Sequence, residues 1–305
     1  MLITILNILL ILIAPFFIMG IISKTKAFWS GRKGICLLQP LYDFIKLMKK
    51  DTVYSNTTSW VFRLAPIIVL SSLILASIFV PIIQGKSILT LQFGFVIFAY
   101  TLALGKFFSL LSAMDTGSSF EGMGASREAC FSTIVEPAFF ITMASIGALS
   151  QNYSFDSLKN ILENAGIYGY LIIILMAVTL LVMLLIEGCR VPVDDPKTHL
   201  ELTMIHEVMI LDNSGVDLGL ITWANSIKIF LFELLIANLI LPQDLSIIAS
   251  LIGIIAIVSA LSILIGTIES AIARFRMTHI FEFIFIMTIT ALLILALVTY
   301  RIYGN

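Results

Sequence analysis

The chain has 305 residues, 59% of them hydrophobic and 12% charged, with a formal net charge of −1. So small a charged share cannot clothe a water-facing surface, which in soluble domains is about a quarter charged, and the near-zero balance gives no electrostatic footprint for nucleic acid. Three scattered cysteines, Cys36, Cys130 and Cys189, support neither a disulfide framework nor a CxxC metal knuckle.

The apolar residues come in blocks of about 20, the length that crosses a bilayer. The first block, 2–22, lacks a basic leader and a small-residue cleavage site, and reads as a retained first span rather than a signal peptide. In the loop after it, Leu37, Leu38, Leu41, Phe44, Ile45 and Met48 fall on one helical face and Lys46, Lys49 and Lys50 mostly on the other. That pattern predicts an amphipathic helix lying along the membrane surface, as a basic anchor to anionic lipid or as the doorway of a lateral chamber. Further spans follow at 65–84, 88–111, 132–150, 167–187, 219–241, 246–268 and 281–300. Hydrocarbon offers no water to an open backbone, so each is a helix. No internal repeat is visible, which argues against a stand-alone secondary transporter. The expectation is an all-α integral membrane protein, one polytopic domain over 1–305, with about eight transmembrane helices plus the surface helix.

Thirteen cations lie in the odd-numbered loops: Lys24, Lys26, Arg32, Lys33, Lys46, Lys49, Lys50, Arg63, Arg127, Arg190, Lys197, Arg274 and Arg276. Lys86, Lys159 and Arg301 lie on the other side. The asymmetry puts the odd-numbered loops in the cytoplasm of a multi-pass cell-membrane protein, with both termini outside.

The fifth loop concentrates acids. Glu187, Asp194, Asp195, Glu201, Glu207 and Asp212 lie within 26 residues, together with Arg190, His199 and His206. Carboxylates crowded in a low-dielectric setting can hold and release protons near neutrality. Pro192 is expected to stop the fifth span, Arg190 to pair with Glu187 one turn earlier, and Asp194 or Asp195 to cap the following helix. On that helix His199 and His206 share a face near Glu201; with no HExxH spacing, proton buffering or partner contact is favoured over metal binding. Inside the spans, Lys106, Glu136, Lys228, Glu233 and Glu269 are costly in lipid and so face the protein interior or a wet cavity. They form either a proton path or interhelical salt bridges. Lys228 and Glu233, five apart, point to different faces and need partners on other helices. Arg127, Glu128, Arg274 and Arg276 are the candidates for docking a partner or holding loop carboxylates.

Four stretches then resemble a known family over nearly the whole chain. They are Gly31-Arg32-Lys33-Gly34 with Leu38-Gln39 and Asp43 to Leu47; Met114 to Ser118 with Gly122 to Glu128 and Val135-Glu136-Pro137; Glu187 to Glu201; and Glu269 to Arg276. They resemble the quinone-chamber membrane subunit of respiratory complex I, and more closely the membrane-anchor subunits of group 4 membrane-bound [NiFe] hydrogenases of the formate hydrogenlyase and hydrogenase-4 type. The resemblance implies docking of hydrogenase large and small subunits that carry [NiFe] and iron–sulfur clusters. It also implies antiporter-like membrane neighbours, no cofactor or metal in this chain itself, and a proton path beginning near Glu136, Glu187 and Glu201. Val193-Asp194-Asp195-Pro196, with Lys197 and His199, departs from the glutamate-rich run of the quinone enzymes. The alternatives are a quinone-chamber subunit or a hydrogenase-related complex lacking nickel.

Overall fold

The computed structural model describes residues 2–83, 85, 87–150, 154–155, 167–195, 204–241 and 245–303. Among them no strand occurs, and eight helices are long and apolar enough to cross a membrane. These are α1 (Leu2–Trp29), α3 (Trp60–Phe79), α4 (Gly94–Asp115), α5 (Ser119–Ser150), α6 (Ile167–Glu187), α8 (Gly215–Ile240), α9 (Ile247–Ala271) and α10 (Met277–Tyr303). Two shorter helices join them, α2 (Gln39–Met48) and α7 (His206–Met209).

Most helices run past the apolar blocks that announced them, because a helix ends where its backbone is capped rather than where hydropathy falls. α1 continues through Lys24 and Lys26 and stops at Gly31, whose φ of 67° lies in the left-handed region open to glycine. There Arg32 N–H donates to Ala27 O at 2.9 Å and Gly31 N–H to Phe28 O at 3.0 Å, a Schellman cap. α3 begins at Trp60 because Asp115, at the end of α4, accepts from Ser59 N–H at 2.7 Å, Ser59 Oγ at 2.9 Å and Phe62 N–H at 3.3 Å. α5 begins at Ser119, not near 132, so Arg127 and Glu128 sit on a helix rather than in a loop. The segment 119–131 is too polar to announce a span, yet Glu121, Ala125 and Glu128 on it are buried by protein.

α8 is the hub. Every residue from Ile229 to Leu239 is buried, and the helix packs against α1, α2, α3, α6 and α9. The outer pairs are α3 with α4, α5 with α10, and α1 with α9. The amphipathic segment forms α2 as expected. Its Phe44 joins Trp223 and Phe16 at ring separations of 5.0 and 5.4 Å, which ties the surface helix to α8 and α1. Large apolar side chains such as Ile248, Ile252 and Ile289 remain outward, as a lipid-facing surface requires.

Candidate functional site

α6 delivers Glu187 to the edge of the bundle and ends there. Arg190 N–H donates to Leu185 O at 2.9 Å and Cys189 N–H to Ile186 O at 3.3 Å, a second Schellman cap, with Cys189 at φ 56° where glycine is usual. The helix therefore stops before Pro192 is reached, which corrects the expectation that the proline breaks it. The sharp exit also separates Arg190 from Glu187. Arg190 turns to Glu269 on α9 at 3.2 Å, where Lys26 of α1 joins at 2.7 Å, so the expected Glu187–Arg190 pair does not form.

Glu187 instead binds Lys106 of α4 and lies 3.7 Å from Lys228 of α8. Lys106 is also 3.7 Å from Glu128 and 3.9 Å from Glu136, both on α5. Glu128 continues to His206 Nε2 at 3.0 Å, and His206 Nδ1 faces Asp194 Oδ2 at 3.4 Å. Asp194 closes the series on Arg274 at 3.0 Å. Named from the loop inward, the run is Arg274, Asp194, His206, Glu128, Lys106, Glu187 and Lys228, with Glu136 as a branch. It crosses five helices and two loops. In a dry interior each charge is tolerable because its neighbour is of opposite sign.

Asp194 organises the loop end. Its carboxylate accepts from Ile205 N–H at 3.2 Å and His206 N–H at 3.0 Å and so satisfies the start of α7; the start of the helix that Asp194 or Asp195 was expected to cap lies outside the described residues. Pro192 O accepts from Phe275 N–H at 2.9 Å, clamping the loop to the α9–α10 turn. Gly124 lets α7 approach α5; a Cβ there would lie 2.8 Å from Ile205 O. Burial opposes charge on the His206 ring, but attraction from Cys189 and Glu128 and the hydrogen bond to Asp194 outweigh it, holding the ring well above its usual pKa. Burial likewise pushes Asp194 up, but its hydrogen bonds to His206 and the Arg274 charge prevail, and the carboxyl is held below its usual value.

A chamber opens under this series between α3, α4, α5, α6 and α8, lined by Pro66, Lys106, Glu128, Glu187, His206, Asn213 and Lys228 among others. Its empty volume is about 780 Å³, and water centres fit in about 60 Å³ of it, room for a few molecules. Ser112 Oγ and Asn213 Oδ1 border it without a hydrogen-bond partner among the described residues, as sites for such waters. A second cavity of about 500 Å³ is lined by Tyr100, Glu136, Phe140 and Met183. Leu102, Lys106 and Glu187 line both cavities, so the Lys106–Glu187 ion pair is part of the partition between them.

The predicted residues thus divide. Glu187, Asp194, His206, Lys106, Glu136 and Lys228 assemble, and Arg274 holds a loop carboxylate. Glu128, assigned to a docking face, belongs to the interior series: it is 6% exposed and paired on both sides. Arg190 and Glu269 form the separate Lys26 cluster. Glu233 stands apart on the hub helix, accepting from Ser262 Oγ at 3.0 Å. Lys228 and Glu233 do take partners on different helices, as their spacing implied. Arg127 donates to Met204 O at 2.9 Å. Arg276 and Asp212 are exposed, and Asp195 and Glu207 are half-exposed. Glu201, with Lys197, His199 and the expected helix as far as 203, lies outside the described residues; Met204 and Ile205 are not helical, and α7 starts only at His206. Sequence reasoning missed Lys26 and Glu121; the latter is fully buried and accepts from Asp212 N–H at 3.0 Å. Among the described residues no group of three or more His, Cys, Asp or Glu is placed to hold a metal ion.

The chain has known relatives. The chain is 28% identical over 276 residues to hydrogenase-4 component C of Escherichia coli (strain K12), covering 88% of this chain and 86% of that one. It is 26% identical over 209 residues to formate hydrogenlyase subunit 4 of the same organism, covering 68% and 67%. A chain in the structure of the membrane-bound sulfane sulfur reductase, an archaeal respiratory membrane complex, shares the fold with a TM-score of 0.81 at 20% identity, over 97% of this chain and 98% of that one. The family described as NADH dehydrogenase matches residues 1–300. With that match spanning nearly its whole length, this multi-pass membrane chain belongs to the NADH dehydrogenase family.

Proposed function

We propose that the chain anchors the peripheral arm of an energy-converting, hydrogenase-type complex and couples events at its loop face to proton or sodium movement through the charged chamber. The observation that carries this reading is the alternating series from Arg274 to Lys228, with the Lys106–Glu187 pair as part of the partition between two cavities. Lys106 has a flexible four-carbon stem and three carboxylates within 4 Å. A change at the loop that draws His206 toward Asp194 releases Glu128; Lys106 then leans toward Glu128 or Glu136, and its hold on Glu187 loosens. The chamber and the outer cavity are then joined by water.

The relatives named for hydrogenase-4 and formate hydrogenlyase support hydrogenase large and small subunits, with their [NiFe] and iron–sulfur clusters, as the arm, and antiporter-like subunits as membrane neighbours. The excess of lysine and arginine on the loop face supports a cytoplasmic position for it, with both termini outside. The direct test is Glu136→Gln in the whole complex. Its carboxylate is 44% exposed and accessible to the outer cavity, so assembly and electron transfer are expected to persist while ion translocation into inverted vesicles falls severalfold. Unchanged translocation removes the relay. Nickel and hydrogen evolution in the complex purified in mild detergent test the arm's identity; a nickel-free complex that reduces quinone overturns it.

A further inference from the structure

α1 and α9 leave an open apolar cleft of about 930 Å³ between them. Leu9, Ile13 and Phe17 step along α1 four residues apart, opposite Ile255 of α9, with Ile83 and Phe230 as the floor. From Leu9 to Ile21 the cleft follows α1 for about 18 Å at 1.5 Å per residue, the reach of a long acyl chain rather than a headgroup. Ile21 also starts a second, shallower pocket that carries the same face of α1 past Lys24 to Phe28. The two depressions thus form one track ending at a cation.

That end has the chemistry of a membrane–water boundary. Phe28 and Trp29 are 78% and 61% exposed, at the level where aromatic side chains settle between hydrocarbon and water. Lys24 is exposed, and no ion pair reaches it among the described residues. The Gly31-Arg32-Lys33-Gly34 turn folds back on it: a Cβ at Gly34 would stand 2.7 Å from Ala27 Cβ and 3.9 Å from Lys24 Cγ. Arg32 and Lys33, both exposed, belong to the same turn. An apolar track, an aromatic level and a cationic end fall in the order of a phospholipid's tail, glycerol and phosphate.

We propose that the α1–α9 cleft is a binding site for an anionic phospholipid, one acyl chain lying in the cleft and the phosphate held at Lys24. A partner helix fits less well. An apolar helix laid along the track would leave Lys24, the cation that lines its end, without an anion. The site stands on the fold alone and is independent of the coupling role.

The test places a photocrosslinking amino acid at Ile255 in the assembled complex in native membranes, with Ile289 of α10, 56% exposed, as a reference for bulk lipid. Mass spectrometry identifies the adducts. Lipid adducts at 255 enriched in anionic headgroups over those at 289 are expected, with Lys24→Glu lowering the enrichment at least about fivefold, the effect of one cation at an anionic surface. Should the residue at 255 disturb assembly, Ile13 across the cleft carries the same probe. A polypeptide adduct in place of lipid, or adducts of bulk composition indifferent to Lys24→Glu, overturns the proposal.

Discussion

Lys106 stands among Glu187, Glu128 and Glu136, and its side chain is only 12% exposed. Removing one partner from such a group strands the rest, which costs about 3–5 kcal/mol, whereas removing both sides of a pair can be nearly neutral. Lys106→Met is therefore expected to lower the thermal stability of the purified subunit sharply. Lys106→Met with Glu187→Gln should regain most of that loss but not ion translocation. A double variant no more stable than the single one would show that shape, not charge balance, holds the chamber. His206 and Asp194 add a pH dependence at the loop. The folded pKa of His206 is raised, so its contribution is complete below about 6.5, the unfolded value, and is lost as pH rises through the folded value. The carboxyl of Asp194 is depressed, so its contribution is complete above about 3.9 and lost as pH falls through the folded value. The protection of amides in 204–209 against hydrogen exchange, taken relative to the intrinsic rate at each pH, should then be greatest between these limits and fall on the alkaline side. His206→Gln should remove that alkaline fall; protection independent of pH in the parent would refute the linkage.

The elements show which signals were legible. The apolar block 167–187 and helix α6 coincide, because a buried apolar span announces itself residue by residue. The start of α5 was missed by thirteen residues although Ser118-Ser119-Phe120-Glu121 has the S-x-x-E spacing of a capping box. Ser118 O does accept from Gly122 N–H at 3.0 Å, but Glu121 reaches out to Asp212 instead of back to Ser118. The cap was readable; the long-range hydrogen bond was not. Nor could sequence place the left-handed cap at Cys189, since a non-glycine residue there costs about 1–2 kcal/mol and Pro192 offers a nearer explanation. Cys189→Gly, which trades that strain against buried sulfur, is expected to leave stability close to unchanged, while Cys189→Val, β-branched at a positive φ, should destabilise by about 1–2 kcal/mol. Equal melting temperatures for parent and valine variants would contradict the strain. Asp115 tests the other kind of junction: Asp115→Ala removes three acceptor contacts from the start of α3 and should cost about 1–2 kcal/mol, measured the same way.

At the scale of the molecule, the eight candidate crossings were legible because apolar composition is an average over many residues. The interior series was only half legible, because pairing across helices depends on rotation about each axis, which a single lysine or glutamate does not reveal. All the clamps described between elements on that side lie on one face: Asp115 on Ser59, Glu121 on Asp212, Asp194 on Arg274 and Ser214 on Val53. A partner docking there would meet a pre-tied surface that transmits a push to the chamber. If that face is cytoplasmic, Cys36 reports it. Cys36 is exposed in the first loop, Cys189 is buried, and Cys130, although exposed, lies on membrane-spanning α5. A membrane-impermeant maleimide should therefore modify Cys36 in inverted vesicles and not in intact cells. Gln92→Cys, at an exposed position before α4 on the opposite face, should give the reciprocal pattern. Covering of Cys36 by the docked arm would silence both preparations at that site but leave the Gln92→Cys result intact. Labelling of Cys36 from outside, with Gln92→Cys protected, would invert the topology and place the docking face and chamber mouth on the outer side of the membrane.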